Sequence, residues 1–472
     1  MKTCRSGFLF VKDKILCEKE KIRNVNGKYF KEFVGYCGLN VLGMVGISCY
    51  ILADTFFISK GMGTDGLAAL NICIPAYSVM YGLGLMLGVG GATGFALSRE
   101  RGDKDAGKKY FTNTIIVGAT VSAVFFFCGA FAPRQVVVLL GAQNEIIGMS
   151  ETYLRVLWMF SPAFILNAVV LSFLRNDGAP ALATAGMVVG SAANIFLDWL
   201  FIFPLDMGIF GAILATGLSP VISLCVYLPH YIRRKNGFGL GRTKVEPKLW
   251  LKSAVIGFPS FVAEASTAAV IFSFNKIMLS VEGTVGVAAY GVIANIVVVI
   301  LAIYNGIANG IQPSVSRTYA VGNEKGAGKF LTYAVVSCVC VGCAVYACAY
   351  FGADDIAAIF NSEGDVRLQE LAVEGIKLYF IGAIFVGVNI VASAYFAAKE
   401  KPVQAHALSL ARGLVIILPS AFILSEKLGA YGLWISFPIT EGIVLAISIT
   451  LLAVDLFAKK KGTNGEKKEK SF

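Results

Sequence analysis

The stretch Gly63-Thr64-Asp65-Gly66-Leu67-Ala68-Ala69 returns 220 residues later as Gly283-Thr284-Val285-Gly286-Val287-Ala288-Ala289. The same shift, without a gap, lays Gly102-Asp103-Lys104 on Gly322-Asn323-Glu324. Two separated matches in one register are hard to obtain by chance in apolar sequence, so they mark an internal repeat. A third falls near the end of each half, with Pro180 on Pro402 at a shift of 222 and Gly208-Ile209-Phe210-Gly211 on Gly429-Ala430-Tyr431-Gly432 at 221. The chain is one unit written twice.

Hydropathy says what the unit is. The 472 residues are 56% hydrophobic and only 15% charged, whereas the apolar share of soluble domains, Gly included, is roughly 45 to 50%. Windows of about 20 apolar residues give twelve spans, starting near residues 33, 66, 111, 150, 180, 208, 250, 285, 330, 370, 402 and 429. Six is even, so both halves start on the same side of the membrane. The repeats are then parallel and related by an axis along the membrane normal, one of the two repeat plans of secondary transporters, which place substrate sites at the repeat interface. The expected fold is an all-α polytopic membrane protein with twelve transmembrane helices in two parallel six-helix lobes. Residues 33–232 form the first lobe (spans one to six) and 250–457 the second (spans seven to twelve). Residues 1–32 precede them, the basic, Gly-rich stretch 233–249 links them, and 458–472 form a tail.

The formal charge of +11 raises the question of a nucleic-acid partner, but the basic residues alternate by loop. With both termini in the cytoplasm, the inward segments hold most of the 41 Lys and Arg, and the outward loops hold only Lys60, Arg134, Arg367 and Lys427. The positive-inside rule then fixes the orientation of a multi-pass protein of the cell membrane. It also accounts for the charge with no nucleic acid involved. Up to Glu32 the only apolar stretch is Gly7-Phe8-Leu9-Phe10-Val11 and no cleavable signal pattern follows, so the first span directs insertion. The tail from Lys459 to Lys470 reads as a solvated end whose only partner would be anionic lipid.

Eleven Cys invite a metal reading, yet Cys338, Cys340, Cys343 and Cys348 share one apolar span. Successive helical positions turn by about 100°, so their thiols point in several directions and suit apolar packing better than a metal site. With only His230 and His406 in the chain, a His-based metal or catalytic centre is not indicated. No nucleophile or phosphate cradle points to an enzyme, and no cofactor is expected. Gly84, Gly88, Gly90 and Gly94 have the spacing that lets helices approach closely. Gly88-Val89-Gly90-Gly91 echoes a dinucleotide fingerprint but follows no strand and lies within lipid. Pro75, Pro162, Pro220, Pro259, Pro313, Pro419 and Pro438 fall within spans, where they kink or break helices.

Polar residues inside the spans need partners or a function, because a lone Asp in mid-membrane costs roughly 2.5 to 3.5 kcal/mol. In span five, Asn194 and Asp198 lie four residues apart and project from one face. Asp54 lies a few residues before the outer end of span one, and Thr216 in the outer half of span six. The orientation puts all four at one level of the first lobe. Two carboxylates in one low-dielectric pocket cannot both stay ionised cheaply, which makes the pair an acceptor for a proton or another cation. The repeat shifts place Asp54 on Phe274, Asp198 near Pro419 and Ser420, and Thr216 near Phe437. The second lobe lacks these acids, an asymmetry that favours a dedicated site over an interhelical hydrogen bond.

The second lobe has charges of its own within spans: Glu264 and Lys276 in span seven, Arg412 in span eleven and Glu441 in span twelve. Arg412 is expected to pair with one of the two acids and leave the other as a candidate second-lobe cation or substrate ligand. Tyr77, Tyr81, Trp158, Phe160, Tyr290 and Tyr304 are candidates to line a cavity for flat cations, with Tyr77, Tyr81 and Tyr290 foremost.

These features together resemble the multidrug and toxic compound extrusion (MATE) family. The residues that carry the likeness are Asp54-Thr55-Phe56-Phe57 leading into Gly66-Leu67-Ala68-Ala69-Leu70, the turn Leu174-Arg175-Asn176-Asp177-Gly178-Ala179-Pro180, Asn194-Ile195-Phe196-Leu197-Asp198 followed by Gly208-Ile209-Phe210-Gly211-Ala212, and Gly257-Phe258-Pro259. The likeness runs from about residue 33 to 457. It implies an antiporter that exchanges entering protons or sodium ions for leaving organic cations, with Asp54, Asn194, Asp198 and Thr216 as the coupling network. Some members add a sodium site built from a span-seven Glu and a span-ten Asp. Glu264 matches the first, but span ten offers only Glu374 and Asn389, which counts against that second site. The protein is expected to act as a monomer on small organic cations. The rival reading is a flippase for lipid-linked sugars, which share the two-lobe plan but call for basic rather than acidic groups in the cavity.

Overall fold

The computed structural model describes the backbone of residues 4–142, 146–232, 237–361 and 365–469, with side chains from 27 to 455 in those segments except at 64, 284 and 360. Hydrocarbon offers no partner to a backbone N–H or C=O, so apolar runs of this length close their hydrogen bonds within a helix. Spans one to three are Gly27–Gly63, Asp65–Glu100 and Ala106–Phe131. Span four is the pair Ile146–Met159 and Ser161–Asn176, bent by 48°. Spans five to ten are Pro180–Ile202, Gly208–Ile232, Pro247–Gly283, Val285–Ala320, Glu324–Phe351 and Val366–Ala398. The last apolar helix, Pro402–Asp455, is broken at Gly429 (φ 61°), which divides it into spans eleven and twelve.

The reversals repeat as the sequence does. Gly63 and Gly283 have φ of 65° and 67°, Gly102 and Gly322 of 94° and 73°, and Gly208 and Gly429 of 53° and 61°. Each pair stands at the repeat register, and only glycine adopts such values without strain. A fourth pair differs: Gly178 (φ 88°) maps at a shift of 222 onto Glu400, which takes φ 55° with a full side chain.

Three local expectations change. Span one does not end a few residues after Asp54 but runs on to Gly63, because nothing before that glycine breaks the helix, and Asp54 therefore lies deeper than the apolar run suggested. Of the in-span prolines, Pro162 sits at the 48° bend of span four and Pro419 follows a π-turn over Ala411–Val415, in which Ile416 N–H donates to Ala411 C=O at 3.0 Å. Pro75, Pro220, Pro259, Pro313 and Pro438 are carried inside continuous helices. Lys276 is exposed rather than buried.

Each lobe has its own core. The second is built on Trp434, Tyr304, Phe274, Phe330, Phe380 and Phe396, all fully buried. Cys338 packs into it, while Cys340, Cys343 and Cys348 face away. The first lobe has one cluster around Met80, Leu154 and Ile213 and another around Phe95, Phe111 and Phe173. The linker is fastened to this second cluster. Phe238 inserts among Phe95, Phe111 and Phe173, and Asn113 Oδ1 accepts from Glu246 N–H (2.9 Å) and from Trp250 Nε1–H (3.0 Å).

The lobes meet along two seams that are copies of each other. A Cβ added to Gly90 of span two would lie 1.8 Å from the Ser253 carbonyl oxygen, and one added to Gly257 of span seven 1.9 Å from that of Met86. In the other seam, a Cβ on Gly306 or Gly310 of span eight would lie 2.6 Å from Val41 Cα or 2.7 Å from Cys37 Cα of span one. The shift of 220 carries Gly90 onto Gly310 and Cys37 onto Gly257. All these positions lie in the halves of their spans nearer the basic end of the bundle, the end that holds Arg101, Lys252, Arg317 and Lys399. The described hydrogen bonds and ion pairs between lobes also run from mid-span to that end: Ser48 to Val298, Asn323 to Tyr29, Glu32 to Arg317 and Arg101 to Glu400.

Candidate functional site: a buried acid cage and an aromatic pair

Spans five and six are zipped together by small residues. Ser219 Oγ donates to Gly190 C=O and Ser223 Oγ to Gly186 C=O, both at 2.9 Å, and Tyr227 Oη donates to Ala183 C=O at 3.3 Å. Residues 183, 186, 190, 194 and 198 share one helical face, so the zipper continues into Asn194, whose Nδ2 donates to Thr216 Oγ1 at 3.4 Å. Span one lies against the same helix, with Gly43 on Met187, Gly46 on Ser191, Gly61 on Ile202, and Thr184 Oγ1 donating to Leu39 C=O at 2.8 Å. Asp54 falls between these contacts. At 1.5 Å per residue, Asp54, Asn194 and Thr216 each lie about 12 to 14 Å from the end of their span remote from the basic end.

The structure thus brings together the four residues singled out in the first lobe. Asp54 and Thr216 are 7% and 8% exposed, Asn194 and Asp198 fully buried. The carboxyls of Asp54 and Asp198 adjoin. No donor among the described residues reaches Asp54 Oδ1, either carboxyl oxygen of Asp198, or Asn194 Oδ1. Buried acceptors without donors are costly, and a cluster of four is suited to a shared proton or to a hard cation that takes oxygen ligands. Tyr153 of span four and Tyr50, one turn before Asp54, face this cage. Sequence reading passed over both, although the four-residue spacing of Tyr50 and Asp54 was visible.

The repeat-equivalent place in the second lobe is filled with rings. Phe274 lies 6.3 Å from Tyr379, which stacks on Phe437 at 4.3 Å, so aromatic packing occupies the positions that correspond to Asp54 and Thr216. Tyr290, a candidate for the cavity wall, belongs to this core, 3% exposed between Phe274 and Trp434. Tyr304, fully buried and donating to Ala383 C=O at 2.6 Å, and Trp158, packed on Phe125, are likewise core residues.

Tyr77 and Tyr81 stack on each other at 5.5 Å, half-buried against the first-lobe core with Tyr77 edge-on to Phe164 at 5.8 Å, and lie beside Gly82, which meets the other lobe at Phe261. Glu264 reaches the same place from the other lobe. Its Cβ stands opposite Gly82 of span two, and its carboxylate faces Tyr50, Tyr77 and Tyr81. No hydrogen bond or ion pair to Glu264 is found among the described residues.

Glu441 is not an open ligand. Arg412 Nε donates to its Oε1 at 2.7 Å and Asn389 Nδ2 to its Oε2 at 2.8 Å, with Ser448 Oγ donating to Asn389 Oδ1 at 2.9 Å. The expected pair with Arg412 is made by Glu441, and Glu264 is the acid left over. Asn389, a span-ten candidate ligand, is consumed in this network, and Glu374 is exposed. Removing one partner of a buried pair costs about 3 to 5 kcal/mol. Glu441→Gln should therefore lower the thermal unfolding midpoint in detergent by several degrees, while efflux per folded molecule stays at the wild-type level.

A family model described as MatE matches residues 41–200 and 259–423, the two repeats in turn. Multidrug export protein MepA of Staphylococcus saprophyticus is 25% identical over 88% of this chain and 91% of its own. MepA of Staphylococcus aureus strain MRSA252 is 24% identical over the same shares. Among solved structures, an outward-facing multidrug resistance MATE family transporter of the MOP superfamily superposes with a TM-score of 0.85 at 23% identity, covering 91% of this chain and 96% of the other. A MATE in the bent conformation gives 0.84 at 22% identity, with 94% and 99% covered. With the family model matched over both halves, the chain belongs to the MatE family and is a multi-pass membrane transporter rather than an enzyme.

Proposed function

We propose that the protein exports small organic cations, multiple drugs among them, in exchange for protons or sodium ions, by alternating access of its two lobes. The observation that carries this reading is the set of four buried, donorless oxygens of Asp54, Asn194 and Asp198 confined to one lobe. Such a cage stabilises a bound proton or cation and is unfavourable without one, so its loading is coupled to conformation. The curated relatives are named as multidrug exporters, and the aromatic rings of Tyr77 and Tyr81 beside the carboxylate of Glu264 suit a flat cation held by ring faces and one carboxylate. The basic end is assigned to the cytoplasm by the positive-inside rule, with both termini there. The seams are closed at that end, so the conformation is read as outward-facing. Each chain carries both lobes and is proposed to act as a monomer in the cell membrane. A lipid-linked sugar flippase finds no support in a site whose charged groups, Asp54, Asp198 and Glu264, are all acidic.

The test is purified protein in liposomes loaded with ethidium, under a proton gradient and a sodium gradient imposed separately. One of the two should accelerate efflux well above the leak of empty vesicles, which also names the coupling ion. Dye release that ignores both gradients would overturn the coupling.

A further inference from the structure

Glu400 stands in the turn between spans ten and eleven at φ 55°, where its repeat counterpart is Gly178. A side chain in this left-handed region is strained and persists where surrounding contacts hold it. Among the described residues, two side chains hold it. Oε2 accepts from Arg101 Nη2 at 2.8 Å and Oε1 lies 2.7 Å from Lys252 Nζ. Arg101 belongs to the first lobe and Glu400 and Lys252 to the second, so the carboxylate ties the lobes together at the basic end. Burial alone would raise the Glu400 pKa, but Lys252 and Arg101 together bring it below the ordinary carboxylate value, so the bridge stays charged.

The second seam has a matching tie of reversed polarity. Position 252 is the repeat counterpart of 32, and Glu32 Oε1 accepts from Arg317 Nη2 at 2.6 Å and from Ser314 Oγ at 2.8 Å across the lobe boundary. The two copies of one helix start thus carry opposite charges, and each is engaged in an ion-pair cluster that spans its seam. A contact serving only the turn would not need a partner in the other lobe, and glycine fills the same turn in the first half without one.

We propose that Glu400 is a gate residue of the transport cycle, whose bridge to Arg101 holds the basic end of the two lobes closed and breaks when that end opens. This rests on the alternating-access reading. It is tested by hydrogen exchange of the whole protein in nanodiscs, which reads opening whether or not any substrate moves.

Glu400→Gln and Arg101→Gln should each raise exchange in the seam segments 86–101, 250–257 and 306–317 by about threefold, the order expected for a partly exposed ion pair. The double variant should rise no further than either single one, because both remove the same bridge. Glu400→Gly is the deciding variant. It relieves the left-handed strain and removes the charge, so a residue serving only the turn would leave the seams at or below wild-type exchange, whereas a gate would open them as Gln does. Wild-type exchange in Glu400→Gly, or additive effects in the double variant, would overturn the proposal. Failure of gradient-driven efflux in the wild-type protein would instead strike the transport reading.

Discussion

Asp198→Asn is expected to reduce gradient-driven dye efflux to the leak of empty vesicles while the protein remains folded and normally abundant. The reason lies in the donorless oxygens of the cage. Asparagine has the shape of aspartate, so the zipper between spans five and six is undisturbed. Its amide cannot take up a proton or balance a cation, so under the proposed coupling the ion would lose a ligand. The amide also brings a donor next to Asp54, whose Oδ1 has none among the described residues, so stability should hold or rise slightly. Asp54→Asn should act in the same direction. The measurement is efflux under the gradient that drives the wild type, alongside dye binding at equilibrium, which the variant should retain. Gradient-driven efflux at the wild-type rate would remove Asp198 from the coupling role.

Gly90→Val has the second large effect, and for a different reason. A Cβ at this position would lie 1.8 Å from a backbone oxygen of span seven, and a backbone cannot swing aside as a side chain can. The clash lies between lobes, so each lobe can still fold and pack. What it forbids is closure of the basic end. An overpacking cost of about 3 kcal/mol corresponds to about a 100-fold loss of the closed population, and efflux should fall by a similar factor. Gly310→Val, the repeat copy in the other seam, should do the same. Gly291→Ala, with nothing within 4 Å of the added carbon, should be silent. Hydrogen exchange in segments 86–101 and 250–257 would show the opening directly, and normal efflux in Gly90→Val would mean that the seams need not close for transport.

The plan of the fold was legible because a duplicated chain reports its own register. Matched glycines at 63 and 283, and at 208 and 429, became matched reversals, while depth was only partly legible: Asp54, Asn194 and Thr216 share a level once span one is extended to Gly63, and Asp198 lies one turn nearer the end of its span on the same face. Rotation about a helix axis was less legible. The π-turn at Ala411–Val415 inserts a residue ahead of Pro419 and turns the helix on either side of it out of step, so no helical wheel drawn from sequence could tell whether Arg412 would meet Glu264 or Glu441. Tyr290 looked like a cavity residue because an aromatic carries no mark of which face it covers. Glu400 was missed because left-handed turns are sought at glycine, although the repeat had already set it opposite Gly178.

The length of the central helices has a mechanical consequence. Spans one, two, seven and eight run for 36 or 37 residues, about 55 Å at 1.5 Å per residue, whereas the hydrocarbon they cross is about 30 Å thick. They are levers as well as membrane anchors. Pivoted near one end, a rod of about 55 Å moves its tip by about 1 Å for every degree of tilt. Under the proposed coupling, a rotation of a few degrees set off by loading the acid cage would become, at the far tip, a displacement on the scale of a drug-sized ring.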